Sequence, residues 1–207
     1  MMSELAQWLS DHAIERVECL IPDLMGAARG KHLRTQALLA NPSLRFPLVG
    51  LFQSVDGECR QDMVSATDPD MCLQPDLATL RLLPWGQTRC AQLIFDAFDE
   101  SGQPLPQAPR NVLKRVLARY HALGLRPIVA PELEFYLTGI AEHASLAPPT
   151  GRRGYTEQQR SPYGVEAADQ YEAFVDELFR TIFHYINCVR LRSLFLFLLQ
   201  IYNIPFG

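Results

Sequence analysis

The sequence has no Cys-x-x-Cys pair, no His-Glu-x-x-His and no His-x-x-x-His. Its five cysteines (Cys19, Cys59, Cys72, Cys90 and Cys188) are scattered at irregular intervals, which fits free thiols in a reducing compartment better than a zinc site or a disulfide framework. Excess positive charge is also missing. The net charge is −4, and "GRRG" at Gly151–Gly154 is too short to form a basic patch, so neither a nucleic acid nor an anionic membrane is the expected partner. No basic-then-apolar leader opens the chain, and the longest uncharged stretch, "SLFLFLLQIYNIPFG", falls short of a membrane span. The cytoplasm is the expected location. The last 27 residues contain no acid at all, whereas all 23 Asp and Glu lie before Thr181.

Ordinary soluble composition remains, with 48% hydrophobic and 20% charged residues over 207 positions, enough for one good core or for one small domain plus part of another. Ser3 to Ile14 predicts a short helix with Ser3 as N-cap and Leu5, Trp8, Leu9 and Ala13 as its apolar stripe. "VECLIP", "DLMG" and "AARGKHL" read as strand, turn and strand. "TQALLA" reads as one or two helical turns capped by Thr35. Asp56-Gly57 signals a turn, and "MCLQPDLATLRLLPW" and "CAQLIFDAFDESGQPL" read as further strands. The first hundred residues thus predict an α+β module.

Three prolines in "PLPQAP" mark a linker, and Pro109 sits where the first turn of a helix tolerates it. That helix should run to about Leu123, carrying Val112, Leu113, Val116, Leu117 and Tyr120 on one face, with Gly124 as its stop. Thr138 to Gly164 reads as a long excursion. "VEAADQYEAFVDELFRTI" is an amphipathic helix with Tyr171, Phe174, Val175, Leu178 and Phe179 inward and a solvated acidic row outward.

Between those helices lies "APELEFYL", in which the period-two pattern puts Glu132 and Glu134 on one face of a strand. Two bare carboxylates about 6–7 Å apart repel by roughly 2–3 kcal/mol at an effective dielectric near 20. Water, a protein cation or a metal must answer that repulsion. On these residues alone, a hydrated face and a metal or acid/base pair both stand.

Taken in order, four segments resemble the glutamine synthetase family, over roughly Val17 to Phe179. They are "DPDMCLQPDLATLRLLPW", "APRNVLKRVL" (with Ala108 where the family has a capping Asp), "APELEFYL", and Asp56-Gly57 standing 14 residues before Asp70. The resemblance implies a β-grasp domain over 15–105 and the incomplete start of an α/β catalytic domain over 106–180. Residues 181–207 are then an unrelated apolar tail, for which a frameshift or broken gene is the expected origin.

The resemblance also implies ATP-dependent ligation of the glutamate γ-carboxylate to ammonia or an amine through γ-glutamyl phosphate. It further implies Mg²⁺ or Mn²⁺ as cofactor and a homo-oligomer with active sites between subunits. By motif, Glu132 and Glu134 are implied metal ligands and Asp56 an implied ammonium- or amine-site residue. A plain turn residue remains the other reading of Asp56, since Glu58-Cys59 replaces the family's Ser-Ser. The wording of "PELEFYL" is similar to the polyamine- and amine-ligating branch. The family's further metal ligands and its nucleotide strands have no counterpart in the tail, so the expectation is a chain inactive by itself. The alternative is a non-catalytic β-grasp module that associates with intact ligase subunits.

Overall fold

The computed structural model describes all residues except 1, 55, 66, 86–87, 130–136, 141–145, 155, 157–164 and 188–207. The chain divides into two units, residues 1–127 and 128–207.

The first unit is a mixed sheet with helices. Helix α1 (Met2–Asp11) places Leu5 and Leu9 in the core. Ser3 lies inside the helix rather than capping it. Ala13 does not extend the stripe: it turns the chain at φ 50°, and Ile14 is buried instead. Strands β1 (Arg16–Pro22) and β2 (Ala28–Arg34) form the expected hairpin around the "DLMG" turn, with Leu20 opposite Gly30. Gly30 is demanded by packing. A Cβ there would stand 1.8 Å from the Cys19 carbonyl oxygen.

Helix α2 (Thr35–Ala40) follows directly, with Arg34 rather than Thr35 in the N-cap position and no side-chain cap. The Thr35 hydroxyl donates instead to the Ile14 carbonyl at 2.5 Å, joining the start of α2 to the start of β1. Strand β3 (Leu44–Pro47) and a 3-10 turn (Leu48–Leu51) lead into the Asp56 loop.

The segment expected as one strand from Met71 is divided. Strand β4 (Asp70–Pro75) stops at a 3-10 turn (Leu77–Thr79), and β5 (Arg81–Leu82) resumes. Asp76 causes the break, its carboxylate accepting the Ala78 N–H at 3.1 Å. Strand β6 (Cys90–Phe98) is the centre of the sheet. It runs parallel to β1 on one side and antiparallel to β4 and β5 on the other, giving the order β2-β1-β6-β4-β3.

Alternate residues of β1 (Val17, Cys19, Ile21) and β6 (Ala91, Leu93, Phe95, Ala97) pack with Leu5, Leu9, Leu38, Met71 and Leu73 into one core. Each large side chain buried there contributes about 1.5–3 kcal/mol. Cys19 is part of that packing. Burial, and then the neighbouring Cys90, push its thiol up to about 12, so it stays protonated and unreactive.

Helix α3 (Pro109–Ala122) starts with Pro in its first turn as expected. Its contact with the sheet differs from expectation. Asn111 is the buried residue, while Val112, Leu113, Val116 and Tyr120 are exposed. The reason is polar: the Asn111 amide donates to the Ala97 carbonyl at 2.7 Å and the Leu105 carbonyl at 2.9 Å.

In the second unit, the described residues include a short pair β7 (Gly139–Ile140) and β8 (Leu146–Ala147). The expected single helix is broken at Gln170 and Tyr171 into α4 (Val165–Asp169) and α5 (Glu172–Asn187). Two ion pairs, Arg153 with Glu166 (2.7 Å) and Arg152 with Glu172, tie the 151–154 turn to these helices. Asp169, Glu172, Asp176 and Glu177 are exposed, as the acidic row requires. Phe174 and Phe179, expected inward, are 38% and 44% exposed. Helix α5 continues past residue 181 to Asn187. No helix among the described residues is long and apolar enough to cross a membrane.

Candidate functional site

The loop bearing Asp56 is closed by a bridge between Gln53 and Cys59. Within it the Ser54 N–H donates to the Glu58 carbonyl at 2.8 Å, and the Gly57 N–H to the Ser54 carbonyl at 3.1 Å. Gly57 takes φ +89°, which closes the turn at little steric cost. Asp56 is exposed. The Ser54 hydroxyl lies between the Asp56 carboxylate, to which it donates, and the Glu58 carbonyl 3.0 Å away. That hydroxyl, with the backbone N–H groups of Asp56 and Glu58, holds the Asp56 carboxyl below the ordinary aspartate range. The loop therefore presents to solvent an oxygen acceptor that is charged at neutral pH. Such a group attracts a cation strongly and is a poor proton acceptor.

The base of the loop is braced from two directions. The Leu24 N–H, in the β1–β2 turn, donates to the Leu51 carbonyl at 3.0 Å. That turn is itself organised by Asp23, which is 1% exposed and accepts the N–H groups of Met25 (2.9 Å) and Ala27 (2.8 Å) and the Arg29 guanidinium (2.8 Å). From the other side, Asp68 accepts the Val49 N–H at 3.0 Å and the Pro69 carbonyl accepts the Leu48 N–H at 3.1 Å. The Asp-Pro-Asp-Met segment and the Asp-Gly loop, distinct motifs in the sequence, are thus one assembly. Sequence reading singled out neither Asp23 nor Asp68. The available signals were an Asp three residues before the Gly of a hairpin turn, and an Asp directly before Pro69.

The remaining described motif, "APRNVLKRVL", meets the later part of the Asp-Pro-Asp-Met segment. Arg110 of "APRNVL" donates from Nε to Asp96 at 2.9 Å and from Nη2 to Asp76 of "QPDL". Lys114 reaches the second oxygen of Asp96. Burial raises the Asp96 pKa, but Lys114 and Arg110 together more than offset it, and the group stays ionised below its ordinary range. This cluster fastens α3 to β6. It is saturated by its own members and has the character of a structural lock.

Glu132 and Glu134 lie outside the described residues. Among the described residues no group of three or more His, Cys, Asp or Glu is placed to hold a metal ion, so no donor set for a divalent cation is assembled from them. The four free cysteines described (Cys19, Cys59, Cys72 and Cys90) form no such group either.

Residues 106–187 match the family profile described as the glutamine synthetase catalytic domain. The glutamine synthetase of Methanococcus maripaludis is 42% identical over 85 residues, covering 40% of this chain and 19% of that protein. The glutamate–isopropylamine ligase of a Pseudomonas species is 30% identical over 141 residues, covering 65% of this chain and 30% of that protein. Residues 106–187 belong to the glutamine synthetase family.

The solved structure titled as a GmaS/ADP complex superposes with a TM-score of 0.61 at 22% identity, covering 86% of this chain and 38% of that one. At that identity the likeness speaks for the fold alone, a mixed α/β architecture shared with that structure. The chain spans 19% and 30% of the length of the two curated relatives, and the glutamine synthetase profile match begins just before α3 and ends with α5.

Proposed function

We propose that this chain contributes to an ATP-dependent ligase that joins the γ-carboxylate of glutamate to ammonia or an amine. The observation that carries the reading is the braced Asp56 loop, an exposed, ionised carboxylate held ready for a cationic nitrogen. Family membership supplies the rest of the chemistry. A carboxylate is a poor electrophile, and conversion to γ-glutamyl phosphate gives the amine a leaving group to displace. The depressed pKa fits Asp56 as the group that binds the protonated amine rather than the one that removes its proton.

The family generally uses ATP and a divalent metal. Glu132 and Glu134 are the carboxylates of this chain that would contribute to holding Mg²⁺ or Mn²⁺, which would neutralise phosphate charge. Hard cations of this kind want six or more oxygen ligands, and two carboxylates leave most of that shell unfilled. In our reading the chain is therefore inactive alone, its residues 15–105 are the family's β-grasp domain, and its Asp56 loop serves a neighbouring subunit of a cytoplasmic homo-oligomer. The amine, as the Pseudomonas relative's name suggests for that protein, extends beyond ammonia.

A second reading has its own support. The core residues from Leu5 to Ala108 all fall in the first unit, so residues 1–127 have the makings of a binding module that joins intact ligase subunits without catalysing anything. Phosphate release with ATP, glutamate, ammonia and putrescine tests inactivity directly. The expected result is no glutamate-dependent turnover by the pure chain. Turnover would overturn the claim that this chain needs further residues.

A further inference from the structure

The first unit carries a second polar surface that the ligase reading does not use. At the end of the sheet where β1 begins and β2 finishes, Arg16 and Arg34 are direct partners in the antiparallel register. Val17 is buried, so Arg16 and its partner face away from the core. Like charges placed opposite each other in this way destabilise a sheet unless something answers them.

Among the described residues nothing answers them. Among the described residues neither guanidinium forms a carboxylate ion pair, Arg16 has only a contact at the limit of hydrogen bonding, 3.5 Å from the Thr88 hydroxyl, and Arg34 has no side-chain partner. Glu18, the next residue along the same face, is already engaged by His32 (3.8 Å) and Gln92 (3.4 Å).

The two arginines line a depression of about 630 Å³ together with Gln36, Thr88, Thr35, Glu15 and Ile14. The Gln36 amide is uncommitted, and the Thr88 hydroxyl proton is free to donate. Thr35 is excluded as a donor because its proton goes to Ile14. Glu15 is the single carboxylate of the lining. The basin is thus rich in unspent donors and carries more positive than negative charge.

We infer that this basin binds a small dianionic oxyanion, a phosphate group or a dicarboxylate, between the guanidinium groups of Arg16 and Arg34. Guanidinium forks match the oxygen spacing of both, and a dianion removes the repulsion between the paired arginines. The inference is independent of the ligase reading, since it uses neither the Asp56 loop nor Glu132 and Glu134.

The test is the melting temperature of the full chain in inorganic phosphate, in succinate, and in sodium chloride at matched ionic strength, for wild type, R16Q and R34Q. At about 20 mM phosphate or succinate the wild type should gain about 3 °C over chloride, and both variants should lose most of that gain. A gain with phosphate alone identifies a phosphate site, and a gain with succinate alone a carboxylate site. A gain no greater than in chloride, or one that survives in both variants, overturns the inference. Backbone NMR of the wild type keeps the test open if a variant does not fold. The amides of Arg16, Arg34 and Gln36 should shift with the added anion, and shifts confined to other residues would refute the site.

Discussion

The Asp68 carboxylate accepts the backbone N–H of Val49 at 3.0 Å, and so fixes the turn from which the Asp56 loop springs. Asp68 itself sits at φ 39°, a conformation that Asp and Asn tolerate better than other side chains. Asp68→Ala should cost about 1–2 kcal/mol in urea unfolding, combining a lost hydrogen bond with backbone strain. Asp68→Asn, which keeps an acceptor, should cost less than half as much. Hydrogen exchange at Val49 and Gly57 should quicken in the Ala variant. Unchanged exchange at both would mean that the brace does not hold the loop.

The pH behaviour of Asp56 follows from its lowered pKa. A carboxyl whose folded pKa lies below its unfolded value stabilises the fold above the unfolded value, and that contribution is lost as pH falls through the folded pKa. NMR titration of the Asp56 carboxyl should find its midpoint below that of an ordinary aspartate, and Ser54→Ala should move it back up. An Asp56 midpoint unaffected by Ser54→Ala would remove the hydroxyl as its cause.

Asp96 is the stronger structural case, with its side chain only 10% exposed beside Arg110 and Lys114. Asp96→Ala strips Arg110 of one partner and should destabilise the chain by about 2–4 kcal/mol. The same sign rule applies: this stabilisation is present at neutral pH and fades on acidification through a pKa below the usual aspartate range. A loss under about 0.5 kcal/mol would place the interaction among weak surface pairs.

Metal affinity provides a further check. Calorimetry with Mn²⁺ should give millimolar or weaker binding by this chain, on the order of the weakest extracellular calcium modules. Micromolar binding abolished by Glu134→Ala would show that the chain completes a metal site unaided.

Local patterns made much of the fold legible, and non-local pairings hid the rest. The β1–β2 hairpin and helix α3 follow from turn chemistry and from Pro109, signals contained within a few residues. The parallel pairing of Arg16 with Cys90 carries no comparable local mark. Asp23 and Asn111 look like turn and surface residues because burial of a polar group depends on carbonyls and amides supplied by tertiary structure. Thr35 failed as a cap for the same reason, its hydroxyl being drawn to Ile14 on a different element. At the candidate site, the Asp-Gly turn was visible, but the brace that positions it was not.

The central claim is that the Asp56 loop serves the amine site of a glutamate ligase. It is tested most directly in a chimera, residues 1–187 of this chain joined to the remaining catalytic-domain sequence of the Pseudomonas relative. The account predicts phosphate release that requires both glutamate and an amine, with Asp56→Ala raising the amine KM by about tenfold or more and leaving the ATP KM little changed. A folded, oligomeric chimera that releases no amine-dependent phosphate, or one whose amine KM ignores Asp56→Ala, would contradict it.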